Sequence, residues 1–208
     1  MKKAKRVMDV VFILDRSGSM RGVEKDTIGG YNRYINDFKR KNAKITTVLF
    51  DDKYEMITKR EAVSKVPLLT QRKYFVRGCT ALLDAVGKTI RFMEQEKAKK
   101  VIFIITTDGY ENASHKFTKE QIKEMIQGHK EWEFLYIGAD IDSYSEGQSI
   151  GIDRSNIANY KKDGKGIFTM FRAMLMACDE YDEEEQIDSS WKKDLEKYVG
   201  ENSEEEFF

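Results

Sequence analysis

Two runs of unbroken apolar residues, Val10-Val11-Phe12-Ile13-Leu14 and Val101-Ile102-Phe103-Ile104-Ile105, mark the strongest strand signals in the chain. Their β-branched and aromatic residues cluster over a few positions and then stop at Gly/Ser/Thr punctuation, as in strands buried on both faces. The wider pattern predicts strands at about 7–14, 45–50, 54–58, 100–107, 132–138 and 155–159. It predicts helices at about 23–38, 81–96, 119–127, 143–150 and 165–178. In the first helix Val23, Thr27, Tyr31, Tyr34, Ile35 and Phe38 share one face. Gly29-Gly30 within it costs roughly 1 kcal/mol per glycine relative to alanine, which predicts a close backbone approach to the sheet. Asp51-Asp52-Lys53 reads as a tight hairpin, so the third strand should run antiparallel at an edge. Thr118 with Gln121 forms a capping box, and Phe117 with Ile122 a hydrophobic staple. Phe168, Phe171, Met174 and Leu175 at helical spacing are expected in the core. Helical connections between parallel strands, under the right-handed crossover rule, give a doubly wound α/β sheet.

Candidate chemistry gathers where these strands end. Asp15-Arg16-Ser17-Gly18-Ser19 follows the first buried strand, at the lip of an open sheet where ligands bind. A carboxylate and two hydroxyls at alternate positions are hard oxygen donors, which favour Mg²⁺ or Mn²⁺ over zinc or copper. Taken alone, the same five residues also read as a polar strand-to-helix turn with capping serines. Thr106-Thr107-Asp108-Gly109 puts a second carboxylate at a strand's carboxyl end, and Gly78-Cys79-Thr80 sets a hydroxyl at the mouth of a helix.

Asp-x-Ser-x-Ser, Gly-x-Thr and Thr-Asp-Gly, in this order and spacing, resemble the metal-ion-dependent adhesion site (MIDAS) of von Willebrand factor A (vWA) domains. Asp26-Thr27-Ile28-Gly29-Gly30-Tyr31-Asn32, Leu49-Phe50-Asp51-Asp52, Thr80-Ala81-Leu82-Leu83-Asp84-Ala85 and Glu111-Asn112-Ala113-Ser114 resemble small stand-alone bacterial and phage vWA proteins. The likeness spans roughly residues 5 to 178. It implies a six-stranded, mostly parallel Rossmann-like sheet in the order 3-2-1-4-5-6, strand 3 antiparallel at the edge and helices on both faces. Strands one and four then bracket the switch-point crevice. The metal set implied is Asp15, Ser17, Ser19, Thr80 and Asp108, the last acting through a water. The function implied is a Mg²⁺- or Mn²⁺-dependent protein-binding module in which the ion bridges to an Asp or Glu of a partner protein, with no catalytic residues.

Composition agrees with one domain, 1–178, and an acidic extension, 179–208, carrying a short amphipathic helix near 190–199. The 208 residues suffice for one buried core. Two cysteines, Cys79 and Cys178, indicate neither a disulfide framework nor a zinc site. The basic N-terminus precedes a short apolar stretch interrupted by Asp9, so a first strand is expected there rather than a signal peptide. No run is long enough to span a membrane, and the expected location is cytoplasmic. The formal net charge is zero, but residues 179–208 hold thirteen Asp/Glu against three Lys, and residues 1–178 hold 33 basic against 23 acidic residues. Clusters at Lys2-Lys3-Lys5-Arg6, Lys39-Arg40-Lys41-Lys44 and Lys97-Lys99-Lys100 precede strands, on the face opposite the candidate metal. Helix-dipole complementation accounts for part of that pattern. A basic surface for nucleic acid or an acidic protein is the alternative, without aromatic interleaving or a helix-turn-helix to support base recognition. The tail is expected to emerge beside these clusters and cover them. Ser190 should cap a helix whose Trp191, Leu195, Tyr198 and Val199 form a stripe ending at Gly200, with an acidic, aromatic tip at Glu204–Phe208.

Rival chemistries lack a part. A phosphotransferase or phosphatase of haloacid-dehalogenase type needs a carboxylate two residues after its nucleophilic Asp, where this chain has Ser17. A vWA adaptor of an ATPase would need its motor on a separate chain, because the P-loop pattern is absent. Asp140 and Asp142 could touch a second cation, although Asp142 or Ser143 is better placed to cap the following helix. His115 and His129 have no serine or cysteine in a nucleophile elbow to serve. Lys162-Asp163-Gly164-Lys165-Gly166 reads as a solvated turn before a helix.

Overall fold

The computed structural model describes residues 6–203. Its sheet comprises β1 (Met8–Asp15), β2 (Ala43–Phe50), β3 (Tyr54–Ala62), β4 (Lys100–Thr107), β5 (Trp132–Gly138) and β6 (Ile157–Asn159), in the order β3-β2-β1-β4-β5-β6. Neighbours pair parallel except β2 and β3, which the Asp51-Asp52-Lys53 turn makes antiparallel. β3 continues past its expected end near residue 58. Register irregularities opposite Ile45–Val48 and a left-handed Arg60 (φ 42°) let it bend and pair on to Ala62.

Among the described residues, six α-helices pack around the sheet: α1 (Glu24–Phe38), α2 (Leu82–Gln95), α3 (Lys119–Gly128), α4 (Ser143–Ser149), α5 (Gly164–Glu184) and α6 (Lys193–Ser203). The alternation of side chains along each strand divides the core in two. Val10, Phe12 and Leu14 of β1 face Tyr31, Tyr34, Ile35 and Phe38 of α1 and Met170 and Met174 of α5. Val11 and Ile13 face the opposite layer, with Val86, Ile90 and Met93 of α2 and Ile122 and Ile126 of α3. Thr118 and Gln121 make the expected capping box at α3.

Three local expectations are corrected. Gly30 approaches α5 rather than the sheet, since a Cβ there would lie 2.2 Å from the Phe171 ring. On α5, Phe171 and Met174 are buried, whereas Phe168 stays 40% exposed and Leu175 is only partly covered. The helix that Ser190 was expected to cap is preceded by a 3-10 turn, Ser189–Lys192, capped by Asp188, and it runs through Gly200 to Ser203.

α5 carries on to Glu184, and its acidic end meets the amino ends of the strands: Lys41 pairs with Asp179 at 2.6 Å and Lys100 with Asp182 at 3.6 Å. Glu185 then turns in the left-handed conformation. The 3-10 turn fastens to the exposed edge at β6, with Trp191 Nε1 donating to the Ser155 carbonyl (3.1 Å) and Lys192 Nζ to that of Ile157 (2.6 Å). Trp191 and Leu195 are fully buried in the α1/α5 layer. Asp194 lies near Arg172 and Tyr198 under Lys165, so α6 runs antiparallel to α5, back toward the carboxyl ends of the strands. Only the first part of the acidic stretch therefore lies beside the basic clusters. Lys2, Lys3, Lys5 and the Glu204–Phe208 tip lie outside the described residues. Among the described residues, no helix is long and apolar enough to cross a membrane.

Candidate metal centre

β1 and β4 pair in parallel, with Leu14 opposite Thr106, so Asp15 and Thr107 leave the sheet side by side. Thr107 Oγ1 donates to Asp15 Oδ2 (2.6 Å), and the Ser17 amide donates to Asp15 Oδ1 (2.6 Å). Asp15 is fully buried, and among the described residues no lysine or arginine pairs with it. Burial pushes its carboxyl up to about 6, against the opposing hydrogen bonds from Thr107 and Ser17 and with a further push from the nearby Asp108 charge. The adjacent Arg16 does not relieve it. Its guanidinium turns away to Asp51 Oδ2 (2.8 Å) and Glu55 Oε2 (2.8 Å) under the β2–β3 turn.

The remaining expected donors converge on the same spot. Ser17 Oγ and Ser19 Oγ are 2.9 Å apart, and Ser19 Oγ donates in turn to Asp108 Oδ1. Thr80 is brought in by its loop. A Cβ on Gly109 would stand 2.9 Å from Thr80 Oγ1 and 3.2 Å from Ser19 Oγ, which places both hydroxyls over the Asp108-Gly109 backbone. All five residues of the expected set, Asp15, Ser17, Ser19, Thr80 and Asp108, thus surround one crevice at the switch point between β1 and β4.

The phrases around the motif fix its parts. Gly78 adopts φ +68°, the left-handed region that favours glycine, and a Cβ there would push on the Asp52 carboxylate. Its carbonyl accepts from the Gly18 amide (3.2 Å), tying the Ser17–Ser19 turn to the Thr80 loop. Asn112 brackets Thr80, accepting from its amide (2.9 Å) and donating to its carbonyl (3.0 Å). At the start of α2, Glu111 accepts the Leu83 amide (2.9 Å) and Ser114 Oγ the Asp84 amide (3.0 Å). These are the donors a helix N-terminus leaves unpaired. From below, Tyr74 donates to the Asp15 carbonyl (2.6 Å).

Other singled-out residues fall elsewhere. Asp142 caps α4 by accepting the Ser145 amide (3.0 Å). His129 stacks on Trp132 and pairs with Glu94, and His115 is exposed. Among the described residues, no group of three carboxylate, imidazole or thiolate side chains could hold a metal. A cation at the switch point would therefore depend on the mixed carboxylate and hydroxyl set. Sequence reasoning missed two participants. In the sequence Thr107 stands out only as part of Thr-Asp-Gly, and Lys162 lies in a stretch whose composition predicts a solvated turn. Lys162 Nζ lies 2.8 Å from Asp108 Oδ2, as an ion pair, and donates to the Ser19 carbonyl at 2.5 Å. The signal was positional: its turn leaves β6 at the same end of the sheet as Asp15 and Asp108.

No family model matches the chain, and no curated protein matches it. Solved structures do match. The D319A mutant of the PilB minor pilin from Streptococcus sanguinis superposes with a TM-score of 0.65 at 12% identity, covering 88% of this chain and 64% of that one. Proximal thread matrix protein 1 from the mussel byssus, with a zinc-occupied MIDAS motif, gives 0.60 at 17% identity, covering 83% and 46%. A von Willebrand factor type A structure from Catenulispora acidiphila gives 0.58 at 17% identity, covering 84% and 43%. The chain spans about half the length of most of these structures. It has the vWA fold.

Proposed function

We propose that this chain is a divalent-metal-dependent protein-binding module. Asp15, Ser17, Ser19 and Thr80 would hold Mg²⁺ or Mn²⁺, with Asp108 behind a water, and the ligand would be an Asp or Glu of a partner protein. The observation that carries this reading is the buried Asp15 carboxylate, which is ringed by hydroxyls and, among the described residues, has no cationic partner. A buried carboxylate is costly unless neutralised, and a dication among hard oxygens supplies that neutralisation. Zinc in the MIDAS motif of the byssus protein supports a divalent site on this fold. The absence of thiolate and imidazole from the set here favours Mg²⁺ or Mn²⁺. Bound there, the ion would offer an open coordination position to a partner's carboxylate.

The chain's own residues do the rest. Thr107 and the Ser17 amide orient Asp15, Asn112 sets Thr80, and the Gly18–Gly78 bond closes the crevice floor. Ser17, two residues after Asp15 where a phosphotransferase needs its general acid, cannot protonate a leaving group. Phosphate monoesters and ATP are therefore expected to survive prolonged incubation with the protein and Mg²⁺. A cytoplasmic setting is supported by two unpaired thiols, exposed Cys79 and buried Cys178. The decisive experiment is affinity capture with wild type and with Asp15→Ala, Ser17→Ala, in magnesium and then in EDTA. A partner retained only by wild type with magnesium is the expected result. A partner that binds all four combinations alike would remove the metal from the function.

A further inference from the structure

Lys162 is the one feature of the centre that a pure oxygen-donor site does not call for. Its ammonium touches two members of the proposed set, at 2.8 Å from Asp108 Oδ2 and 2.5 Å from the Ser19 carbonyl. The side chain is 22% exposed, so a path to solvent is open. The turn that delivers it is held from both sides. Neighbouring Asp163 caps α5 through the Gly166 amide (2.7 Å) and accepts the Tyr198 hydroxyl of α6 (3.1 Å).

We propose that Lys162 is a built-in rival of the divalent ion, its ammonium and the ion being alternative partners of Asp108. The inference rests on the metal reading above. An ion bound by Ser19 Oγ and facing Asp108 would stand within a few ångströms of an ammonium seated on the Ser19 carbonyl. Like charges that close repel, most strongly beside the buried Asp15 carboxylate, where little water screens them. Of the two cations, only the lysine has a flexible stem on which to leave. Metal uptake therefore requires Lys162 to swing into solvent, and the apparent affinity falls by the fraction of molecules in which it has left. Lys162 would thereby set the metal concentration at which the module engages its partner.

The test uses the full chain, with Mn²⁺ and Mg²⁺ titrated calorimetrically into wild type, Lys162→Met and Lys162→Arg. Lys162→Met is expected to bind on the order of tenfold more tightly, and Lys162→Arg, which keeps the charge, within about threefold of wild type. Acetylation of Lys162, followed by mass spectrometry, reads the displacement itself. Its rate should rise when Mn²⁺ replaces EDTA in wild type. Equal or weaker binding by Lys162→Met, or an acetylation rate indifferent to metal, overturns the rivalry and leaves the metal reading intact. If neither wild type nor Lys162→Met takes up metal, both fail together.

Discussion

Asp9 and Asp15 stand near the two ends of β1, both buried, and the chain treats them in opposite ways. Asp9 receives a bidentate guanidinium from Arg60, Nε at 2.7 Å and Nη2 at 3.0 Å. The left-handed backbone of Arg60 aims that side chain inward from β3. Among the described residues Asp15 receives an amide and hydroxyls but no cation, and the arginine beside it is spent on Asp51. Asp51 shows what Arg16 could have done: against the opposing effect of burial, Arg77 and Arg16 hold its carboxyl below the usual range. Neutralised carboxylates of this kind lock elements together, whereas one left charged and unpaired stores an electrostatic demand that a ligand can meet.

The largest expected effect breaks the structural end of the strand. Arg60→Ala leaves Asp9 buried without its cation and should cost about 3 kcal/mol in urea unfolding, with metal-induced stabilisation unchanged. Asp15→Asn should act with the opposite sign. Because the native carboxyl titrates at about 6 and the unfolded one near 3.8, the native state binds more protons between those values. Stability in EDTA should therefore fall as pH rises through that window, by on the order of 3 kcal/mol, and stay low above it. Asp15→Asn should abolish that slope and be the more stable protein at neutral pH. Metal binding by wild type should weaken below about pH 6, as protons compete for Asp15.

Saturating Mg²⁺ or Mn²⁺ is expected to stabilise wild type by about 2.7 kcal/mol at a hundredfold excess over its dissociation constant. Asp15→Ala should show no such shift in its melting curve. The smallest effect on folding sharpens the contrast most finely. Gly109→Ala pushes a methyl against Thr80 Oγ1 and Ser19 Oγ and should cost about 1 kcal/mol or less, yet weaken metal binding about tenfold. Unchanged metal affinity in that variant would place the ion elsewhere.

Much of this was legible in the sequence, for physical reasons. The unbroken apolar runs of β1 and β4 announce strands covered on both faces, and the motif residues sit directly after them, so the crevice follows from parallel pairing. The Gly-x-Thr loop carries its own evidence in Gly78, whose left-handed conformation favours glycine over any residue with a side chain. Long-range pairings left no such trace. Nothing in local spacing says that Arg60 reaches Asp9, that Arg16 turns from Asp15 to Asp51, or that Lys162 reaches Asp108, because flexible stems choose partners only in the folded chain. The reversal at Glu185 was hidden for a similar reason. The apolar stripe of Trp191 and Leu195 implies that this helix docks, but not which edge receives it, and only the folded chain shows it beside β6.

The central claim is that the unpaired Asp15 carboxylate makes this crevice a divalent-metal site. Electron paramagnetic resonance reads free Mn²⁺ directly, so a Mn²⁺ titration of the full chain at about pH 7.5, where Asp15 is ionised, addresses that claim without a partner. The expected result is saturable loss of the free-ion signal with wild type, to a single ion per chain, and none with Asp15→Asn. Equal binding by the two proteins, or none by wild type, would contradict it.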